Sequence, residues 1–264
     1  MVESSLEGRL EMFLAELRLP SIRKVYRKIS KDVTNAGGDH IAFLHALLEE
    51  EINDRRSRRI HRLLKEGRFP QMKLLSEIEG SALPRGISLD QLHNLARGEY
   101  IEEKSNIVAI GGSGTGKTHI SIALGIEACK QSRRVRFSTA TDLVSELEEA
   151  QEAHQLHRYL KRLVKVDLLV VDELGYLPMT ERAAELLFQA FSSRHERGSI
   201  IVNSNLPFSE WGEIFKTERL AVALLDRVTH NAHTFEMNGE SYRLRTARSR
   251  SRRKSARKEN SMSS

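Results

Sequence analysis

Cysteine is almost missing from this 264-residue chain: Cys129 stands alone. One thiol excludes an internal disulfide framework and any zinc cluster built on cysteine. No apolar run approaches the ~20 residues that cross a bilayer. The N-terminus carries early acids and lacks the apolar core of a secretory signal. A cytoplasmic protein with no membrane partner is therefore expected. There is no internal repeat. Net charge is also missing, except in one place. The formal charge is +6, and residues 247–264 supply all of it with Arg248, Arg250, Arg252, Arg253, Lys254, Arg257 and Lys258 against Glu259. That Arg/Ser tail has nothing to bury and is expected to be disordered. It can bind nucleic-acid phosphates without reading sequence, or merely solubilise the chain. The remainder, with 39% hydrophobic and 30% charged residues overall, has room for one α/β domain and a smaller appendage.

What the chain does have is Gly111-Gly112-Ser113-Gly114-Thr115-Gly116-Lys117-Thr118. This fits G-x-x-x-x-G-K-[ST], the phosphate-binding P-loop. Its flanks fit too: Asn106 to Ile110 reads as a buried strand, and His119 to Lys130 as a helix with apolar residues at Ile120, Ile122, Ala123, Ile126 and Ala128. Glycines let successive N–H groups turn inward, and the helix N-terminus adds partial positive charge at the same point. Lys117 is expected to reach the β- and γ-phosphates of ATP, and the Thr118 hydroxyl to ligate Mg²⁺. About one β-α-β unit later, Val166 to Glu173 is a strand pattern ending in two carboxylates. Asp172 is placed to hold Mg²⁺, and Glu173 to activate the attacking water. Alone, such a strand end is unremarkable. After a P-loop it reads as the Walker B element, and Glu173 favours hydrolysis over switch-like binding. Cys129, on the apolar side of the P-loop helix, reads as core.

Residues 1–66 read as helical. Leu6, Leu10, Phe13, Leu14 and Leu17 recur at helical spacing up to Pro20, Ile22 to Ile29 continues a second helix, and Asn35 to Asp39 breaks it. His40 to Lys65 is a long helix with an apolar stripe at Phe43, Leu44, Leu47, Leu48, Ile52, Ile60, Leu63 and Leu64. It also carries Arg55, Arg56, Arg58, Arg59 and Arg62, preceded by Glu49, Glu50 and Glu51. Phosphate binding and intrahelical pairing are both open readings there. A connector follows over 67–100, punctuated by Gly67, Pro70, Gly80, Pro84 and Gly86 and ending in a helix over Ser88 to Ala96. The nucleotide domain is expected over 101–246, before the tail at 247–264. Beyond the two motif strands, Arg134–Ser138, Ser199–Asn205 and Thr234–Met237 read as strands. Asp142 can cap a helix over Leu143–Glu149, and Ala153–Val164 is a further helix bearing Arg158, Lys161, Arg162 and Lys165. Strands alternating with helices predict an α/β fold, a mainly parallel five-stranded sheet flanked by helices.

The motifs at 111–118 and 170–173, Asn203-Ser-Asn-Leu-Pro-Phe208 and Leu225-Asp-Arg-Val228 come in the order seen in AAA+ P-loop ATPases. Their wording resembles the clade of helicase loaders (DnaC type) and insertion-sequence transposition helpers (IstB type). Gly114 to His119, Asp172 to Pro178 and Ser204 to Phe208 look most like the IstB type. The resemblance implies that Asn205, or failing it Asn203, is the sensor of the γ-phosphate, with capping of the next turn as the bland alternative. It implies that Arg227 is an arginine finger acting on the neighbouring subunit, against a surface pair with Asp226. It likens Leu143–Val164 to the extra helical insertion of initiators and loaders. There is no room for a C-terminal lid, and Arg243 is the only stand-in for a second sensor.

The function implied is that of an ATP- and Mg²⁺-dependent ATPase that forms oligomers on duplex DNA, remodels it with little base readout, and recruits or stimulates a transposase. Phosphate contacts are expected from Arg55 to Arg62, from Arg158 to Lys165, or from the tail, in no ranked order. A helicase loader acting on single strands is the nearest alternative. A small-molecule kinase would need neither Glu173 nor a trans arginine, and an ATP-switched scaffold would work without hydrolysis.

Overall fold

The computed structural model describes residues 2–237 other than Glu79, Ser81, Ala82, Arg85, Leu177, Lys216 and Thr217, with side chains from Leu6 onward. Arg243 and the basic tail lie outside the described residues. The chain divides into two units, 1–62 and 63–264.

The first unit contains α1 (Val2–Glu16), α2 (Pro20–Asn35) and most of α3 (His40–Glu66). Pro20 is the first residue of α2, where its missing N–H costs nothing. No side chain of its own caps α2. Glu51 of α3 supplies the cap instead, its Oε2 accepting from the N–H groups of Ser21 at 2.9 Å and Ile22 at 3.3 Å. Burial opposes the charged form of Glu51, but hydrogen bonds from Arg55, Ile22 and Ser21 hold its carboxyl below the usual range. The core is thin: Leu14, Ile22, Tyr26 and Leu47 are buried. Much of the two apolar rows stays uncovered. Leu6, Leu10 and Phe13 on α1, Leu17 just after it, and Leu44, Leu48 and Ile52 on α3 are exposed, as is Ile41 at the start of α3.

The second unit is a three-layer α/β body. Its strands are β1 (Asn106–Ile110), β2 (Val135–Thr139), β3 (Leu168–Leu174), β4 (Ser199–Ser204) and β5 (Ala232–Glu236). All neighbours are parallel, in the order β2-β3-β4-β1-β5. Parallel strands are buried on both faces, which is why they read as continuous apolar runs. The helices are α4 (Leu89–Ala96), α5 (Glu99–Glu102), α6 (Lys117–Lys130), α7 (Ala140–Glu152), α8 (Leu156–Val164), α9 (Glu181–Arg194), α10 (Trp211–Phe215) and α11 (Glu218–Thr229). Side-chain parity splits the core. Val108, Leu169, Val171 and Val202 join the cluster with α7, α9 and α11. Ile107, Leu168, Val170 and Ile201 join the cluster with α4 and α6.

The mainly parallel five-stranded sheet follows the sequence expectation, and two helix starts differ. Ser88 caps α4 through a capping box with Gln91, as its spacing suggests. The expected cap of the helix after β2, Asp142, does not cap. Thr139 does, with the Asp142 N–H donating to its Oγ1 at 3.0 Å, so α7 begins three residues earlier. Ala153 to Gln155 form a break, and α8 starts at Leu156 rather than Ala153. Cys129 is buried, and burial pushes its thiol up to about 12, which suits core and not chemistry.

Arg194 is the largest surprise, because it is fully buried. Its guanidinium donates to the carbonyls of Val166 and Ser199 at 2.9 Å each, and to that of Leu163. Burial lowers its pKa to about 10, so it remains charged at neutral pH. It therefore pins the end of α8 and the starts of β3 and β4 together. Arg194→Leu strands those carbonyls, and a loss of about 3–5 kcal/mol is expected in urea unfolding. A loss under about 1 kcal/mol would mean that water replaces the guanidinium.

Candidate active site

The predicted phosphate loop joins the C-terminal end of β1 to the N-terminus of α6. Glycine is required there for two different reasons. At Gly111 (φ 153°) a Cβ would sit 2.2 Å from the Met237 carbonyl oxygen. At Gly116 (φ 101°), the N-cap of α6, a Cβ would meet nothing within 4 Å, and only the left-handed backbone demands glycine. Thr115 Oγ1 braces the loop by donating to Gly112 O at 3.0 Å. Lys117 Nζ donates to Gly112 O at 2.9 Å, so the ammonium lies within the loop. Burial lowers the Lys117 pKa, and Asp172 partly offsets this.

Parity brings the second half of the site to the same place. Asp172 continues the Val170 face of β3, and Asn203 continues the Ile201 face of β4, so both point toward α6. Asp172 is 5% exposed and Asn203 fully buried. Thr118 Oγ1 donates to Asp172 Oδ2 at 2.8 Å, and Asn203 Nδ2 donates to Asp172 Oδ1 at 2.9 Å. Ser121 Oγ in turn donates to Asn203 Oδ1 at 2.9 Å. Sequence reading passed over Ser121. The available signal was its spacing, three residues after Thr118 and hence on the same helical face.

Glu173 is the exposed residue of β3. Its φ of 61° is left-handed. The β3–β4 register shifts between Val171 and Leu174, so a bulge carries this strain at the rim of the site. Asn205 follows the last residue of β4 and is exposed. It therefore stands apart from the buried Asp172–Asn203 pair.

Mg²⁺ takes hard oxygen ligands, and usually one or two protein oxygens completed by phosphates and water. The Thr118 hydroxyl and Asp172 carboxylate fit that donor set. Among the described residues no group of three or more His, Cys, Asp or Glu could hold a metal unaided.

Arg227 lies elsewhere. Asn106, the first residue of β1, donates from Nδ2 to the carbonyl of Val228 at 3.0 Å and approaches that of Arg227 at 3.5 Å. The phosphate loop leaves the other end of the same strand, about 16 Å away at 3.3 Å per residue. The Arg227 guanidinium lies 4.7 Å over the Phe188 ring, and its Nη1 donates to Ala223 O at 2.8 Å. No ion pair to Asp226 is present among the described residues. Beside it opens a cavity of about 420 Å³, also lined by Lys104, His195 and His230.

The basic clusters differ in how their charge is compensated. On α3, Arg55 pairs with Glu51 at 2.8 Å and Arg58 with Asp54 at 2.8 Å. Arg59 and Arg62 also have partners, and Arg56 is exposed. On α8 and at its C-cap, Arg158, Lys161, Arg162 and Lys165 are exposed beside the buried Tyr159 and Leu163, with no ion pair among the described residues. Arg162 lies 5.6 Å over the Tyr159 ring.

Comparison with known proteins gives a consistent picture. The model of the IstB-like ATP binding protein family matches residues 12–250. A putative insertion sequence ATP-binding protein of Sinorhizobium fredii is 36% identical over 242 residues, covering 91% of this chain and 81% of its own. The IS5376 putative ATP-binding protein of Geobacillus stearothermophilus is 35% identical over 243 residues, covering 92% and 96%. Among solved structures, the DnaC helicase loader matches with a TM-score of 0.53 at 18% identity, over 65% of this chain and 99% of that one. The replication initiator DnaA bound to AMPPCP and single-stranded DNA gives 0.52 at 22% identity, over 66% and 53%. At such identities these two establish the AAA+ P-loop fold alone.

Proposed function

From the premise that the chain belongs to the IstB-like ATP binding protein family, we propose that it is an ATPase that assembles on duplex DNA and regulates transposition. Binding of ATP between protomers drives assembly, the assembled protein deforms the duplex and recruits a transposase, and hydrolysis resets it. The observation that carries the reading is the 2.8 Å contact between Thr118 and Asp172, which joins the phosphate loop to a carboxylate strand with an exposed glutamate one residue further. Lys117 neutralises phosphate, Glu173 orients and activates water, and Asn205 at the rim is the sensor. Thr118 and Asp172 would hold Mg²⁺, which would supply neutralisation of phosphate charge. Arg227 acts on the neighbouring protomer, because the length of β1 separates it from its own loop.

Duplex contacts are assigned to α8 ahead of α3, because among the described residues no carboxylate pairs with the α8 cations. The apolar rows left open on α1 and α3 are the surface assigned to the transposase, since exposed apolar surface of this extent marks interaction sites. The test is duplex affinity against salt concentration, in ATP and Mg²⁺. Each lost phosphate contact lowers the slope of log K against log salt by about 0.9. Arg158→Ala with Lys161→Ala should lower it by about 2, while Arg58→Ala leaves it unchanged. An unchanged slope in the α8 variant would remove α8 from the interface. A preference for single strands over duplex would favour the helicase-loader reading.

A further inference from the structure

Asp172 can only accept hydrogen bonds while ionised. One of its oxygens faces Thr118 and the other faces the Asn203 amide. That fixes the polarity of everything behind it. The Asn203 Nδ2 must face Asp172, its Oδ1 must therefore face α6, and Ser121, fully buried there, must donate to it. A chain of three hydrogen bonds thus runs from the phosphate-loop helix through β4 to β3 and back to Thr118, with no exposed member between Ser121 and Asp172.

We propose that Asn203 is a positioning residue for the metal-binding carboxylate, oriented by Ser121, and has no part in sensing the γ-phosphate. The proposal rests on the nucleotide reading given above. One N–H of the Asn203 amide is donated to Asp172 and its carbonyl oxygen accepts from Ser121, and the whole side chain is fully buried, so a phosphate cannot reach it. Its donor fixes the carboxylate rotamer, leaving the second oxygen beside Thr118, where the two protein ligands of Mg²⁺ converge. Groups that orient a metal ligand in this way typically change metal affinity about 10–100-fold when removed. The same arrangement ties the placement of α6 to that of β3, so the phosphate loop and the carboxylate strand are set as one piece.

The test is ADP affinity by calorimetry, with Mg²⁺ and with EDTA, alongside Mn²⁺ binding to the ADP complex by electron paramagnetic resonance. Asn203→Leu keeps the size and removes the donor. It should lose about 10–100-fold of the Mg²⁺-dependent gain and weaken Mn²⁺ binding equally, while affinity in EDTA stays within about twofold. Ser121→Ala frees the amide without removing it and should lose severalfold in the same direction. A general packing defect would instead weaken ADP equally in EDTA and Mg²⁺, and that result overturns the proposal. So does an unchanged Mg²⁺ dependence in either variant, with Ser121→Ala deciding should Asn203→Leu fail to fold. If the unaltered protein binds no ADP in either condition while its circular dichroism shows it folded, the nucleotide reading itself falls.

Discussion

Arg227→Ala should bind ATP with unchanged affinity and hydrolyse it about a thousandfold more slowly. A trans arginine stabilises charge that develops only in the transition state, and such groups contribute about 10³–10⁵ in rate. A thousandfold corresponds to about 4 kcal/mol. The alternative is that Arg227 serves the fold, through its stacking on Phe188 and its bond to Ala223 O. Both contacts are partly exposed and should be worth about 1 kcal/mol or less, so thermal stability should barely move. A mixing experiment separates trans from cis. Lys117→Ala protein lacks a working loop but keeps its arginine, and Arg227→Ala protein has the reverse. Each alone should be nearly inactive, and a mixture should regain activity because some interfaces pair an intact loop with an intact arginine. If the mixture stays inactive although mixed assemblies sediment together, Arg227 does not complete its neighbour's site.

This experiment tests a residue whose type and place in the motif order were legible in the sequence, while its position in space was not. The strands were legible because parallel strands buried on both faces leave continuous apolar runs, as at Leu168–Val171 and Ile200–Val202. The glycines and Lys117 were legible because a phosphate loop is local. Asn203 and Asn205 were harder. They differ by two residues, so strand parity gives them the same face, and only the point where β4 ends separates a buried amide from an exposed one. Thr139 and Asp142 pose the same kind of problem, since both are good caps and the end of β2 decides between them. Arg194 defeats local reading altogether. Ser192-Ser-Arg-His-Glu-Arg197 looks like a solvated turn, and nothing in it reports the carbonyls of α8, of the segment between α8 and β3, and of β4 that converge on one guanidinium. Distance in sequence also hid the ion pair that Arg68 makes with Glu146.

Glu173→Gln should cut hydrolysis about 10²–10⁴-fold, the usual contribution of a positioned general base, without weakening ATP or duplex binding. Glutamine keeps the size and the left-handed backbone and removes only the proton acceptor. Assemblies should then form normally on duplex DNA in ATP and fail to come apart, which separates a cycling regulator from an ATP-switched scaffold. A scaffold would keep its effect on the transposase undiminished. Glu173→Gly gives an internal check, because the strain at φ 61° belongs to the side-chain-bearing residue. Relief of such strain is worth about 1 kcal/mol or more, so the glycine variant should melt higher than the parent while hydrolysing as slowly as the glutamine one. Such opposite movements would mark the strain at position 173 as serving function and not the fold. If Glu173→Gln retains more than about a tenth of the parent rate, far above the range for a lost general base, the attacking water is activated by another group.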